Sequence, residues 1–519
     1  MTTSKPFQPF ALTAADASLP MIYAGSIAAF HLEVPETGIA ILQKAIAEVF
    51  QHIPFLSGVL VPSPQTAGVV EVHPAPTGPS TSQTTTETSF VTVKRLPNLR
   101  LPLPTRPVSG AFPCSDFEQY DRNRSLVLAP MHVTAYRSHH PVLAFQINVL
   151  ADGIILTAFS NHMVIDGAGV GTIWKMLAAC CRAPVGPCSP LYPDLADSMD
   201  REITTRKYLS TIGESPFLDR GNSSYSNTTA QVEGEVDTDH ITVTATTTSK
   251  STENPFGIHD TSLHDCTFHL SGERVQCLHQ TARQLWLSEN EHATRSVSED
   301  DIVTAVLYLA LSRVRSAPRP SEDSANTTPC TFLRVVDVRR RLRPPVPERY
   351  IGNCFIMVEM EQRQLMPATA QPRDQGDSAL DSSIHFEQLI SPLACKLRTR
   401  LNEVDDAYVR DHLAQQATGA NAPSPEIVAV IVTSLRRLQI YELDFGSVLG
   451  GAVDFQQLPY MNPEGVCTIF PRRVGSDAWE VGVTLCKGDM ERLKGDDMLR
   501  WLAEGEECSL LNFFEPVQV

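Results

Sequence analysis

The stretch Phe159-Ser160-Asn161-His162-Met163-Val164-Ile165-Asp166-Gly167-Ala168-Gly169 decides how this chain is read. The apolar run Ile154–Ser160 leads into it, and Asp152-Gly153 separates that run from an earlier one, Val142–Val149. Asp-Gly between two short apolar runs predicts a hairpin. His162 therefore falls just past a strand end, where the strand fixes a side chain and the loop beyond leaves it accessible. A neutral imidazole there can take a proton near pH 7. Asp166, four residues on, either orients the ring or turns away to pair with an arginine and hold the loop. Gly167, Gly169 and Gly171 are expected to supply turn geometry that other residues would strain, and Thr172–Ala179 continues as an apolar helix. The local pattern alone does not assign catalysis, because a histidine at a strand end more often serves as a structural hydrogen-bonding residue.

Composition narrows the classes around this stretch. The chain has 519 residues, 42% hydrophobic and 19% charged, which suits a folded protein of two domains. Its formal net charge of −17 disfavours sequence-independent nucleic-acid binding and docking on anionic lipid, although one basic pocket can still hold an anion. Twelve cysteines without a Cys-x-x-Cys pair read as free thiols in a reducing compartment. The first twenty residues lack the apolar segment of a secretory signal, and no apolar run approaches the ~20 residues of a membrane helix. A cytosolic protein is the expectation.

Ser/Thr-rich segments divide the chain. Ser80–Ser89 reads as a surface loop, and the longer Gly221–Asp260 reads as an interdomain linker. The expected organisation is an N-terminal lobe over 1–210, a linker over 211–262 and a C-terminal lobe over 263–519. Ala317–Pro329 and Pro367–Ser383 read as loops within the second lobe. Ile39, Leu42, Ala45, Ile46 and Val49 form a helical stripe. Ser298 and Asp301 resemble a capping box ahead of the apolar run Ile302–Val314. Arg334–Val338, Ile351–Met360, Glu426–Ser434 and Trp479–Leu485 read as strands, Glu387–Arg400 and Met490–Leu502 as helices. The fold class is α/β (α+β), with mixed sheets and helices in both lobes.

Other candidates are weaker. His259, His264 and His269, with Asp260 and Asp265, have a metal-like composition, but their five-residue spacing matches no zinc pattern. His139-His140 before Pro141 reads as an exposed turn. The chain contains neither a phosphate-cradling Gly-rich loop ending in Lys nor a Gly-x-Ser-x-Gly elbow.

Two further segments change the reading of His162. One runs from Arg334-Val335-Val336-Asp337-Val338-Arg339-Arg340-Arg341 through Tyr350-Ile351-Gly352-Asn353-Cys354; the other is Asp444-Phe445-Gly446-Ser447-Val448-Leu449-Gly450-Gly451. With Pro54-Phe55-Leu56-Ser57-Gly58 and the His162 motif in order before them, the chain resembles the BAHD superfamily of acyl-CoA-dependent acyltransferases, and more closely its fungal secondary-metabolite branch, typified by trichothecene O-acetyltransferases. The resemblance spans most of the chain outside the Ser/Thr-rich loops. It departs in the last motif, where Ser447 and Val448 replace the usual aromatic residue and second glycine.

The resemblance implies two chloramphenicol-acetyltransferase-like lobes with a channel between them. His162 would stand in that channel as general base, with acyl-CoA, acetyl-CoA foremost, as co-substrate and no permanently bound cofactor or metal. Asp166 and Gly167 would be structural, with Arg339 the first and Arg341 the second candidate partner of Asp166. Asp444 and Gly446 would hold their loop. The Arg339–Arg343 stretch has two open readings: a solvated basic turn, or one structural ion pair plus attraction for CoA phosphates. The acceptor would be a small alcohol on a natural product such as a terpenoid or polyketide, and the protein a monomer. Two rivals stand beside this reading. Condensation-type transferases take acyl groups from a carrier protein and usually have a second histidine where this chain has Asn161; an inactive relative would only bind a metabolite.

Overall fold

The computed structural model describes residues 7–17, 19, 21–66, 69–75, 90–101, 114–116, 140–182, 198–213, 263–289, 295–316, 330–360, 379–417, 428–458 and 462–503. Among them are three sheets. A five-stranded sheet runs in the order Asp454–Gln457, Tyr23–His31, Gly153–Asn161, Leu143–Leu150, Val91–Leu96. A seven-stranded sheet runs Phe355–Met360, Cys330–Asp337, Val428–Ser434, Val466–Ile469, Trp479–Cys486, Leu263–Leu270, Cys114–Asp116. A smaller sheet joins Phe10–Ala11, Val70–Pro74, Gly58–Pro62 and His140–Pro141. The chain is thus a two-lobed α/β protein whose two large sheets are mixed and packed with helices and whose smaller sheet is antiparallel.

The expected hairpin forms. Leu143–Leu150 and Gly153–Asn161 pair antiparallel, with Val149 opposite Ile154. Every residue of both strands is buried, which explains why they read as continuous apolar runs rather than alternating ones. Helix Glu36–His52 buries its stripe of Ile39, Leu42, Ala45, Ile46 and Val49 and packs against helix Gly167–Arg182. In the second lobe, Ser298 caps helix Glu299–Ser316: its N–H and hydroxyl both donate to Asp301 Oδ2, at 2.7 and 2.8 Å. The apolar residues of that helix pack into the core of the seven-stranded sheet.

Several expectations need correction. Met490–Leu502 is two helices, Lys487–Lys494 and Asp497–Ala503, broken at Gly495-Asp496, where Asp496 Oδ1 accepts the N–H groups of Met498 and Leu499 and starts the second. His140 lies in a short strand paired with Leu60, not in a turn, and His139 lies outside the described residues. The helix expected over Glu387–Arg400 runs from Ala379 to Asn402. Helix Ser198–Gly213 continues past the expected lobe boundary at 210, and the rest of the expected linker, 214–262, lies outside the described residues, as do Ser80–Ser89 and Ala317–Pro329.

The two large sheets also trade strands. Asp454–Gln457, late in the chain, pairs antiparallel with Tyr23–His31 in the N-terminal sheet. Cys114–Asp116 pairs with Leu263–Leu270 in the C-terminal one. The segment that carries the Asp444 motif therefore returns to the N-terminal lobe. Its anchor is Phe445, 1% exposed, whose ring meets Phe30 edge-on at 4.8 Å and Trp174 at 6.3 Å. Phe445→Ala should cost about 3–5 kcal/mol in urea unfolding. Val448→Ala, on an exposed neighbour, should stay within about 0.5 kcal/mol.

Candidate active site

His162 stands at the first turn beyond strand Gly153–Asn161, with its main chain tied on both sides. Its N–H donates to Ile22 O at 2.8 Å, and its carbonyl accepts from Asn353 Nδ2 at 2.9 Å. The ring is half-buried and meets Phe355 edge-on at 6.0 Å. Nδ1 is buried and has no hydrogen-bond partner among the described residues. Burial pushes the imidazole pKa down, against upward pulls from its own main-chain carbonyl and from Asp166, and the net direction is down from 6.5. The ring is therefore neutral at physiological pH, the state a base requires.

Asp166 does not hydrogen-bond the imidazole. It caps helix Gly167–Arg182, with Oδ1 accepting Gly169 N at 2.8 Å, and it reaches the other lobe, with Oδ2 accepting Cys354 N at 3.0 Å. Arg339 Nη2 donates to Asp166 at 2.9 Å and also to the carbonyls of Tyr350 (3.0 Å) and Gly352 (2.9 Å). Burial alone would lower the Arg339 pKa, but Asp166 and Asp337 outweigh it, so the guanidinium stays charged. Burial lifts the Asp166 carboxyl, while Arg339 pulls it back. Arg341 goes elsewhere: it donates to Leu401 O and Val404 O, and burial among other arginines brings its pKa down to about 10. Arg340 is exposed and pairs with Glu348. The basic stretch thus spends Arg339 on the ion pair and Arg341 on helix-end carbonyls.

The glycines of the motif act through space rather than through φ. Positive φ among the described glycines occurs at Gly446, Gly450, Gly465 and Gly475, not within the motif. A Cβ on Gly169 would lie 2.1 Å from Ile351 O, and one on Gly167 would lie 2.9 Å from Leu435 Cδ2. At Gly169 the smallest residue is needed because main chain of the C-terminal lobe passes directly over the helix, whereas at Gly167 the neighbour is the tip of a flexible side chain.

In the last motif, Asp444 Oδ1 accepts Gly446 N at 2.9 Å, and Asp444 O accepts Arg182 Nη1 at 2.7 Å. Asp444 is exposed and closes its own turn. Gly446 has φ +93°, and Gly450, at φ +66°, ends the four-residue helix Gly446–Leu449. Gly450 thereby serves the turn although Val448 replaces the motif's second glycine; Ser447 and Val448 face outward.

Three residues that the sequence reading passed over converge behind His162. Asp16, Arg206 and Asn353 are 0%, 3% and 0% exposed; Asp16 bonds the other two, and those two bond the main chain of the His162 loop. Asn353 sits in a quoted motif, and Asp16 follows Thr13 in the same hydroxyl-then-acid pattern as Ser298 and Asp301, but nothing local points to the bonds from Asp16 to Asn353 and Arg206, 337 and 190 residues away.

A pocket of about 280 Å³ opens beside the motif helix, with Lys175, Arg201 and Arg349 set against Glu202 and Glu348 in its walls. Burial pushes Glu202 up to about 7, and three basic side chains against two acidic ones make the local balance positive in a chain of net charge −17. The metal-like histidines do not gather. His264 and His269 lie opposite Leu485 and Glu480 along one strand, and their odd spacing puts them on opposite faces; His259 and Asp260 lie outside the described residues. Glu464, Cys486 and Asp489 cluster near Arg315, which donates to Glu464 at 2.9 Å and Asp489 at 2.7 Å and so supplies the cation.

Two lobes joined over a His-x-x-x-Asp-Gly loop define an O-acyltransferase of the BAHD type. The chain belongs to the Transferase family, which matches residues 112–499, and residues 22–181 match the Trichothecene 3-O-acetyltransferase-like N-terminal domain. It is 31% identical over 513 residues to the O-acetyltransferase cpsE of Aspergillus campestris, covering 95% of this chain and 96% of that one. The communesin N16 acyltransferase cnsK of Penicillium expansum is 28% identical, over 97% of this chain and 100% of its own. Among solved structures, F. sporotrichioides TRI101 complexed with coenzyme A and T-2 shares the fold, at a TM-score of 0.59 and 19% identity over 95% of this chain and 98% of that one. Vinorine synthase does so at 0.55 and 16%, over 98% and 97%.

Arg339→Ala would leave Asp166 buried and unpaired, and should cost about 3–5 kcal/mol in stability. Arg339→Lys should recover little, because one ammonium cannot replace a planar fork that serves a carboxylate and two carbonyls. Chemical denaturation of both variants measures this. Gly169→Ala should lower stability by about 1–3 kcal/mol, read as a fall in melting temperature, since the added methyl meets main chain that cannot swing aside.

Proposed function

We propose that this protein transfers an acyl group, acetyl foremost, from acyl-CoA to a hydroxyl of a fungal secondary metabolite such as a terpenoid or polyketide, with His162 as general base. The single observation that carries the chemistry is an imidazole held neutral by burial at the loop between the lobes, while Asp166 is fully engaged with Arg339, Gly169 and Cys354. Nδ1 is buried without a hydrogen-bond partner among the described residues, so Nε2 is the ring nitrogen this reading takes as the base.

The step balances without a covalent enzyme intermediate. Nε2 takes the acceptor hydroxyl proton as that oxygen attacks the thioester carbonyl. The tetrahedral adduct collapses with loss of CoA thiolate, and the imidazolium returns its proton to the thiolate. No serine or cysteine is required as nucleophile. Asp166, Gly167, Arg339, Asp444 and Gly446 hold the two lobes and the adjoining loop in place, and Arg341 secures the arginine stretch. The positive pocket of Lys175, Arg201 and Arg349 supports an anionic co-substrate such as CoA. No helix among the described residues is long and apolar enough to cross a membrane, and eight of the cysteines among them are free thiols, which supports a cytosolic enzyme. The reading takes it as a monomer.

Purified protein offered acyl-CoA and candidate alcohols should yield ester and free CoA, and His162→Ala should lower the rate about 10²–10⁴-fold. An unchanged rate in that variant rules the mechanism out, and strict dependence on a carrier-bound donor replaces it with condensation-type chemistry. The base must be unprotonated, and its folded pKa lies below 6.5, so kcat/KM should stay flat through neutral pH and fall on the acid side only below that value.

A further inference from the structure

The pocket beside the motif helix sets a buried carboxyl among positive groups. Glu202, 2% exposed, is part of its wall. Oε1 of that carboxyl accepts Ile351 N at 2.8 Å, and Oε2 is buried with no hydrogen-bond partner among the described residues. An ionised carboxylate oxygen in that state costs free energy. Lys175, half-buried on helix Gly167–Arg182, likewise has no hydrogen bond or ion pair among the described residues.

The rest of the wall favours an anion. Arg201 and Arg349 line the pocket with Lys175, and Glu348, the other acid, is exposed and paired with Arg340. Ser198 and Arg201 stand in the first turn of helix Ser198–Gly213, and Ala168 and Gly171 near the start of helix Gly167–Arg182, so two helix N-termini border the cavity. Three cations and two helix ends outnumber the two oxygens of a carboxylate ligand and suit a tetrahedral phosphate.

An ionised Glu202 would repel such a ligand, whereas a protonated one donates to it. The groups that face Glu202 are Arg201 and Arg206 on its own helix, Lys175 on the motif helix, Arg339 from the arginine stretch, and Glu348, Arg349 and Tyr350 from the segment beyond. Burial lifts the carboxyl to about 7 against the pull of Arg206, the Ile351 N–H, Arg339 and Arg201, so its charge changes near neutrality.

We propose that this pocket is a phosphate-class anion site in which Glu202 binds as the neutral acid, its Oε2–H donating to the anion while Oε1 keeps Ile351 N. Above neutrality, binding takes a proton from solvent onto Oε2. The site stands apart from the acyl-transfer reading; only the source of the phosphate rests on it, since CoA carries such groups and a free phosphate compound is the other source.

Sulfate is the probe, because it has the shape of phosphate and does not titrate in this range. Calorimetry on the full-length protein, in two buffers of different ionisation heat, counts the protons taken up with the ion. Uptake should approach about one per sulfate at about pH 8 and about zero at about pH 6, with affinity falling towards about tenfold per pH unit above neutrality. Glu202→Gln presents an amide N–H where the acid has its O–H, so it should bind sulfate without proton uptake and equally well at both pH values. Lys175→Ala should weaken sulfate about tenfold at both. Parent protein that binds no sulfate, or binds it without proton uptake, would overturn the proposal, as would loss of binding in Glu202→Gln. If that variant does not fold, the parent's uptake in the alkaline buffer decides alone. Competition assigns the source: CoA displacing sulfate where pantetheine does not puts a phosphate of CoA in the pocket, and CoA and sulfate binding together upholds a separate phosphate site. Neither readout involves acyl transfer, so a protein that transfers no acyl group leaves the site in place and removes only the co-substrate reading.

Discussion

The structure around the site depends on one buried ion pair, Asp166 with Arg339, which joins residues 173 positions apart. It lies between the His162 loop of the N-terminal lobe and the Tyr350–Cys354 segment of the other, and it satisfies main-chain groups on both. Asp166 takes the N–H of Gly169 on its own side and of Cys354 across the junction; Arg339 takes the carbonyls of Tyr350 and Gly352. Such a pair gains little net stability over an apolar replacement, but it permits one alignment of the segments it bonds. The two lobes approach closely at this junction, and Gly169, under Ile351 O, has no room for a side chain.

A second constraint works through strand exchange. The segment from Tyr441 to Gln457 leaves the C-terminal sheet, turns at Gly446 and Gly450, and adds its last four residues to the N-terminal sheet. Arg473 and Tyr441 meet Asp454 at that crossing, where burial pushes the carboxyl up to about 6, and Tyr441 Oη accepts Phe455 N at 3.1 Å. Phe445 fills the adjoining core. The lobes are therefore joined by pairing, packing and charge at different points, and His162 sits on a loop held from both. The general-base role proposed for it needs this, because a proton transfer tolerates little error in the position of either partner.

Much of this was legible from residues. The hairpin into His162 followed from Asp152-Gly153 between apolar runs, and the cap at Ser298 from a hydroxyl followed by an acid three residues on. Both signals are local: the atoms that interact lie within a few residues of one another. The errors share the opposite cause. Gly167, Gly169 and Gly171 invited an argument from φ when the reason was the nearness of Ile351, Leu435 and Leu438, none of which is near in sequence. The apolar period over Met490–Leu502 continued across a break made by Gly495 and Asp496. The arginine stretch could not be divided into roles until the carbonyls of Leu401 and Val404 were seen to occupy Arg341.

By itself, the order of residues determined the elements, the two-lobed α/β class and the identity of the histidine at a strand end, because periodicity, capping and turn chemistry act over a few residues. Tertiary structure alone decided that Asp166 turns from the ring toward Arg339 and that Asp16, Arg206 and Asn353 meet behind His162. It also decided that the imidazole pKa is pushed down, because the desolvation responsible comes from chain segments brought together only by folding.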